Sequence, residues 1–451
     1  MRTAVLTCAA AAALVTGAAL AGPALAETVA ITNAHIFTSG PAGELANGTV
    51  VIRDGKIASV GSGGAPAGAR VIDAKGATVT PGLIAADSGL GVVEVGALGN
   101  DVSLRGADIG AAFDVSYGID PDVTTIPVAR LGGITSAIVT PLPPGGGFEG
   151  DEARDDTAGD SQPRNAATQM FGGQAAAIQL DAGSKDLVVR TKLAQMTPLG
   201  GAGARLAGGS RGADFVKLKA TLEDVRWYKR NRSAYDRAQT RTLSLGREDL
   251  EALIPVVEGR QPLVLVVDRA SDIRQALRLA REEHLKIILD GASEGWRVAE
   301  EIAAAHVPVI VDPLQDLPAD FENLGSTLEN AGRMSARGVS VIIKSAEGGA
   351  HRVRETRYDA GNAVAHGMTW QAALDAVTIN PARAFGVADR LGSLEPGKAA
   401  DLVVWSGDPF EPATQPVAVF VNGREQPLTS RQIELQRRYR DLNQPYPPQY
   451  R

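Results

Sequence analysis

Apolar residues follow two different periods along this chain. Residues 28–80 carry short alternating runs: Thr28-Val29-Ala30-Ile31 stops at Asn33, and Thr49-Val50-Val51-Ile52 leads through Arg53-Asp54-Gly55-Lys56 into Ile57-Ala58-Ser59-Val60. An Asp-Gly pair between two such runs is the sequence form of a tight β-hairpin, because its centre requires positive φ. Short runs return at 400–422, in Leu402–Trp405 and Val417–Val421, and end at Asn422-Gly423. Neither end holds enough strands for an independently stable sheet. The pattern predicts that they pair with each other, as one small composite β domain, a β-sandwich, drawn from residues 27–80 and 391–428.

Between them strand and helix alternate. Leu263–Asp268, Lys286–Asp290, Val307–Asp312 and Val339–Ser345 are apolar runs of strand length. Asp272–His284, Glu294–His306, Leu324–Gly338 and Arg357–Gly367 follow them with helical spacing. Four successive βα units require a parallel sheet, and over residues 81–390 the expected solution is an α/β fold of the (β/α)8 TIM-like barrel type. The earlier half is less regular, with strands at Pro81–Ala86, Ile134–Thr140 and Ala175–Leu180 and a helix at Asp214–Arg230. Leu142–Asn165 is rich in Gly, Pro and Asp and has no period; it reads as a solvated loop, or as a lid over the barrel mouth. Residues 429–451 form a tail, with a charged helix at Ser430–Leu442 followed by Pro445 and Pro447-Pro448.

The chain starts with Met1-Arg2, a mostly apolar stretch from Ala4 to Leu20, and the small-residue pattern Ala24-Leu25-Ala26. That is the form of a signal peptide at residues 1–26. It implies a periplasmic or secreted protein with no membrane association after cleavage. The one Cys, Cys8, falls inside the leader, so the mature chain forms no disulfide. The net charge of −7 argues against nucleic acid as a partner, since that affinity rests on a basic face.

Two phrases carry a resemblance. Val71-Ile72-Asp73-Ala74-Lys75-Gly76 precedes Thr80-Pro81-Gly82-Leu83-Ile84, and Thr378-Ile379-Asn380-Pro381-Ala382 precedes Gly392-Ser393-Leu394-Glu395-Pro396-Gly397-Lys398-Ala399-Ala400-Asp401-Leu402-Val403. In that order, at the two ends of the alternating region, they resemble the amidohydrolase superfamily, nearest its imidazolonepropionase-like branch. The resemblance implies a barrel framed by a β domain, and a divalent metal that activates water for attack on a small-molecule amide or ring amide. It also implies metal ligands: a His-x-His pair after the first strand, a carboxylated Lys or Glu, two later His and an Asp.

Those ligand positions hold other residues. After Ile84 the chain reads Ala85-Ala86-Asp87-Ser88-Gly89, so Asp and Gly stand where His-x-His belongs. The fifth strand ends Val267-Asp268-Arg269, the sixth Leu289-Asp290-Gly291, the eighth Ile343-Lys344-Ser345. Of the five His, His35 is in the β domain, while His284, His306 and His366 are at helix ends away from the expected site. His351 alone lies in a loop after the eighth strand. A His-type zinc site is therefore not expected.

Strand C-terminal ends carry the chemistry in barrels. Read that way, Asp87, Asp268 and Lys344 are candidate catalytic residues. Asp290, Asp312, Glu347, His351 and Arg352 are candidates for substrate binding. The carboxylates would hold a hard cation such as Mg²⁺ or Ca²⁺, or one Asp would serve as a general base, or each simply caps a turn. Two functions remain open: a hydrolase of non-peptide C–N bonds with an atypical site, and a catalytically silent homologue that binds a ligand. The silent form would pair with an active amidohydrolase; a homo-oligomer is the other assembly considered. Limited proteolysis of the native protein is expected to cut first within Leu142–Asn165; resistance there without ligand would count against a mobile segment.

Overall fold

A computed structural model describes residues 28–94, 101–104, 108–142, 144, 169–345 and 349–440. Residues 1–27, nearly all of Leu142–Asn165, Glu347 and the end of the tail lie outside these residues. Among the described residues no helix is long and apolar enough to cross a membrane.

The two chain ends do pair. Thr78–Pro81 from the N-terminal part runs antiparallel to Leu402–Trp405, with Pro81 opposite Leu402 and Thr78 opposite Trp405. Hydrogen bonding joins the strands of both ends into one eight-stranded sheet, with the Asp54-Gly55 hairpin at Glu44–Arg53 and Lys56–Gly61 as expected. The sandwich expected from the pattern is thus bonded as a single sheet.

Among the described residues ten strands make up the central region. The main eight are β1 (Leu83–Ser88), β2 (Ile134–Val139), β3 (Ala176–Gln179), β4 (Gln195–Pro198), β5 (Leu263–Val267), β6 (Ile287–Gly291), β7 (Val309–Val311) and β8 (Val341–Ile343), joined by the short Gly173–Gln174 and Val188–Arg190. They belong to two sheets. In one, β1 is parallel to β2, and β3 pairs antiparallel with β2. In the other, β4 to β8 are parallel neighbours in chain order. A single bridge, Ala86 to Lys344, links β1 to the end of β8. At the other side, Gly173-Gln174 pairs with β4 and the same strand continues as β3 against β2.

The reversed β3 departs from an all-parallel reading. Its C-terminal residue Gln179 points away from the other strand ends and donates to Asp401 of the composite sheet at 2.7 Å. Ser136 and the Asn422 amide also bond this carboxylate. Burial still pushes its pKa up to about 6.

Side-chain alternation divides the strand residues into two cores. Ile84, Ala86, Ile138, Ala177, Met196, Val264, Ile288, Ile310 and Ile342 form one buried cluster. Their neighbours in sequence, such as Leu83, Ala85, Val139, Leu263, Leu265, Leu289, Val311 and Ile343, form another with helix residues such as Ile273, Ala276, Leu279 and Ile302. Strands buried on both faces read as unbroken apolar runs, which is why β5 to β8 were legible as strands but showed no alternation. Two of the helices are shorter than their periodicity suggested, whereas Arg211–Arg230 and Ala270–Glu283 begin earlier. Glu294–His306 contains a 3-10 turn and Ala299–Ala304, and Leu324–Gly338 contains Asn330–Ala336.

Trp405 is fully buried where the composite sheet meets the strands. Its Nε1 donates to Thr80 Oγ1 at 2.9 Å, and its ring lies over Gly133, whose φ is +78°. A Cβ at Gly133 would stand 2.2 Å from the ring. Gly133→Ala adds this overlap to a left-handed backbone, and should destabilise the chain by about 3 kcal/mol. Denaturant unfolding checks this; an unchanged midpoint would contradict the contact.

Candidate active site

The inner cluster sets the direction of the strand ends. Counting by twos from Val264, Ile288, Ile310 and Ile342 places Asp268, Asp290, Asp312 and Lys344 on the inner register of β5 to β8. Asp87 is out of phase, because Ala86 is the inner residue on β1. The chain corrects this locally. Asp87 has φ +50°, and the pairing with β2 shifts register between Ala85 and Ser88. A left-handed non-glycine residue at a bulge is a strained arrangement of the kind found at sites. It brings the Asp87 carboxylate to the ammonium of Lys344.

Lys344 Nζ donates to Asp87 Oδ2 at 2.8 Å and to Asp290 Oδ1 at 2.7 Å. Thr140 Oγ1 donates to the other Asp87 oxygen at 2.6 Å. The three charged groups are largely shielded, with Asp290 side chain only 4% exposed. Burial opposes charge on Asp87, but the ammonium and the Thr140 hydroxyl outweigh it and hold this carboxyl below its usual range. Burial likewise opposes charge on Lys344, and the two carboxylates override it and hold the ammonium well above its usual range. Asp290 goes the other way. Its burial, and then the nearby Asp87 charge, exceed what Lys344 returns, and its pKa is pushed up to about 7. One carboxylate stays ionised and its neighbour titrates near neutrality, a pairing that separates charge from proton transfer.

Asp268 is adjacent but differently held. Its Oδ1 accepts from Ser293 Oγ at 2.6 Å and from the Ser293 amide at 3.2 Å. Gly291 and Ala292, at φ +89° and +46°, turn the chain after β6 so that Ser293 reaches it. A Cβ at Gly291 would lie 2.8 Å from Asp268 Oδ1. Burial raises the Asp268 pKa despite these bonds.

The remaining candidates contribute less. Asp312 Oδ1 accepts from the Leu314 amide in its own turn, the capping role weighed above. His351 is exposed, and the Arg352 carbonyl accepts from Ser345 Oγ at 3.2 Å. Glu347 is outside the described residues. His284 and His306 have left-handed backbone at helix ends, and His366 Nδ1 lies 2.8 Å from the Asn362 carbonyl in the preceding turn.

A carboxylate cage for Mg²⁺ or Ca²⁺ is not what these residues form. Among the described residues no three His, Cys, Asp or Glu side chains are grouped to hold a metal ion. The physical reason is Lys344, whose ammonium takes up one oxygen of Asp87 and one of Asp290. Positions 87 and 89, where the resemblance implied His-x-His, are Asp and Gly.

Sequence reasoning missed Thr140 and Ser293. Thr140 follows the last residue of β2, so the rule that found Asp87 would have found it. Ser293 depends on a turn through two positive φ angles, and a sequence window shows only the glycine.

Residues 268–426 match the amidohydrolase family model, a stretch that begins at Asp268 and runs through β6 to β8 into the composite sheet. About a third of the chain is thus similar to the amidohydrolase family. A crystal structure of an amidohydrolase from Thermotoga maritima MSB8 superposes with a TM-score of 0.74 at 23% identity, covering 88% of this chain and 99% of that one. This likeness establishes a mixed α/β, TIM-barrel-like fold. Imidazolonepropionase of Solibacter usitatus is 36% identical over 97 residues, 21% of this chain and 23% of the relative. Amidohydrolase tasK of Hapsidospora irregularis is 41% identical over 61 residues, 14% of this chain and 6% of the relative. The matches span less than a quarter of either curated relative.

Lys344→Met leaves Asp87 and Asp290 facing each other without their cation. The expected cost is about 3–5 kcal/mol at pH 8. Both carboxyls then have raised folded pKa values, so stability should recover as pH falls and the pair takes up protons. Thermal unfolding of the variant at pH 5 and 8 checks this, and a pH-independent loss would contradict the electrostatic account.

Proposed function

We propose that this protein is an exported hydrolase of non-peptide C–N bonds in a small molecule, acting through Asp290, Lys344 and Asp87 without a His-held metal. The observation that carries the reading is Asp290, a buried carboxyl poised near pH 7 beside a fixed ammonium. We also propose that the two central sheets complete a barrel of the (β/α)8 type, closed at the Ala86–Lys344 bridge and by the strand shared between Gly173 and Gln179. In its support, all eight main strands contribute to the inner cluster or extend into it. The family match and the imidazolonepropionase likeness favour a small cyclic amide or ureide as substrate. Export rests on the leader pattern.

In this mechanism ionised Asp290 removes a proton from a water molecule, whose oxygen bonds to the carbonyl carbon. Lys344 stabilises the resulting oxyanion, and Asp87 keeps Lys344 charged and in place. Asp290 then passes its proton to the nitrogen as the C–N bond breaks, returning to the carboxylate. The products are an acid and an amine, so atoms and protons balance.

A second reading, a silent homologue that binds a ligand or partners an active amidohydrolase, is favoured by one feature. Lys344 already spans both carboxylates at ordinary bonding distance, so its ammonium is taken up inside the cluster.

Turnover of hydantoins and lactams by the purified chain separates the two. The hydrolase reading expects a rate that rises with pH through about 7, as Asp290 ionises. Dialysis against a chelator should leave that rate unchanged. Asp290→Asn should lower kcat at least 100-fold while the fold is retained. Absence of turnover at every pH would favour the silent form; loss of rate on chelation would overturn the metal-independent mechanism.

A further inference from the structure

A concave site lies on the composite sheet, lined by none of Asp87, Asp290 and Lys344. His35 and Phe37 alternate on the same face of the Val29–Phe37 strand. Glu44 is the register partner of Phe37 on one neighbouring strand, and Thr78 that of His35 on the other. Trp370 meets this face from the start of the Trp370–Ala376 helix. Its ring centroid is 4.3 Å from Phe37, tilted by 47°, and 5.3 Å from Phe410. His35 lies 4.5 Å from Phe37, which extends the row of rings. The cleft they border has a volume of about 500 Å³, within the range of small-molecule sites, and clefts between units of a fold are common places for them.

Two carboxylates border it, and one of them has a basic partner. Glu44 Oε1 is 2.6 Å from His35 Nε2. Asp408 is exposed, and both its oxygens accept from Trp370 Nε1 at 3.0 Å. Among the described residues no Lys, Arg or His forms an ion pair with Asp408. A carboxylate bound to the indole N–H adds negative potential to a ring whose face already attracts cations. Aromatic faces and an unneutralised carboxylate, side by side in one cleft, suit a ligand that is both positively charged and apolar.

We propose that this cleft is a binding site for a small organic cation, an alkylammonium group seated against Trp370 and Phe37 with its charge toward Asp408. The site does not rest on the hydrolase reading, since none of these residues belongs to the Asp87–Asp290–Lys344 cluster.

Isothermal titration of the full chain with choline, and with its uncharged isostere 3,3-dimethylbutan-1-ol, tests it. Choline should bind at millimolar or lower concentration, and the isostere at least tenfold more weakly. Asp408→Asn, a surface change that leaves folding intact, should weaken choline at least fivefold. Trp370→Leu should abolish binding, while Trp370→Phe retains part of it. Neither Asp408→Asn nor Trp370→Phe should alter any hydrolytic rate, so failure here is distinct from failure of the proposed function. Equal affinity for choline and its isostere, no binding by the unaltered chain, or undiminished binding by Asp408→Asn would overturn the proposal.

Discussion

The arrangement of the centre depends on one ion pair that spans three strands. Lys344 follows the last residue of β8, and its backbone forms the single bridge to β1 at Ala86. Its side chain reaches Asp87 beyond that bridge and Asp290 on β6. The edge between the two sheets is therefore held by little main-chain pairing and by a buried ammonium shared between two carboxylates. Such an arrangement is costly to desolvate and costly to break. It also fixes the charge state of the site, because one lysine cannot fully neutralise two acids. The remaining imbalance falls on Asp290, the most buried of the three.

The composite sheet and the central cluster rest on different kinds of residue. The turns and phrases that build the composite sheet act on backbone geometry, and they are independent of which side chains end β1, β5, β6 and β8. A cation carried on a side chain needs no further ligands from His, and Gly89 becomes tolerable where a ligating residue would otherwise be needed. The cost is borne by the backbone at Asp87, whose left-handed conformation turns an out-of-phase residue inward.

Much of this was legible in the sequence. The Asp54-Gly55 hairpin, the pairing of the two chain ends, the strands β5 to β8 and the placing of Asp87, Asp268, Asp290 and Lys344 at strand ends all followed from turn chemistry, run length and strand-end position, whereas the expected grouping of Asp268 with Lys344 gave way to Asp290. What was hidden has physical causes. The direction of β3 is set by which partners it meets, and an apolar run such as Ala175–Leu180 has no direction of its own. The division of labour between Asp268 and Asp290 depends on Ser293, which a turn brings into contact. The carboxylates looked suited to a metal because spacing alone does not reveal that Lys344 lies between them.

The reversed β3 has one more consequence. In a run of parallel strands, each connection must cross from one rim of the sheet to the other. Here β2 ends and Gly173 begins on the same rim, the one where Asp87 and Asp290 lie. The described residues on either side of the intervening segment, Thr140 and Gly173, therefore lie on one side of the sheet. The length of that segment is uncoupled from the phase of every other strand, so insertions and deletions there need shift no helix and no register. In evolutionary terms this is the place where the protein can change what surrounds its centre without rebuilding its frame.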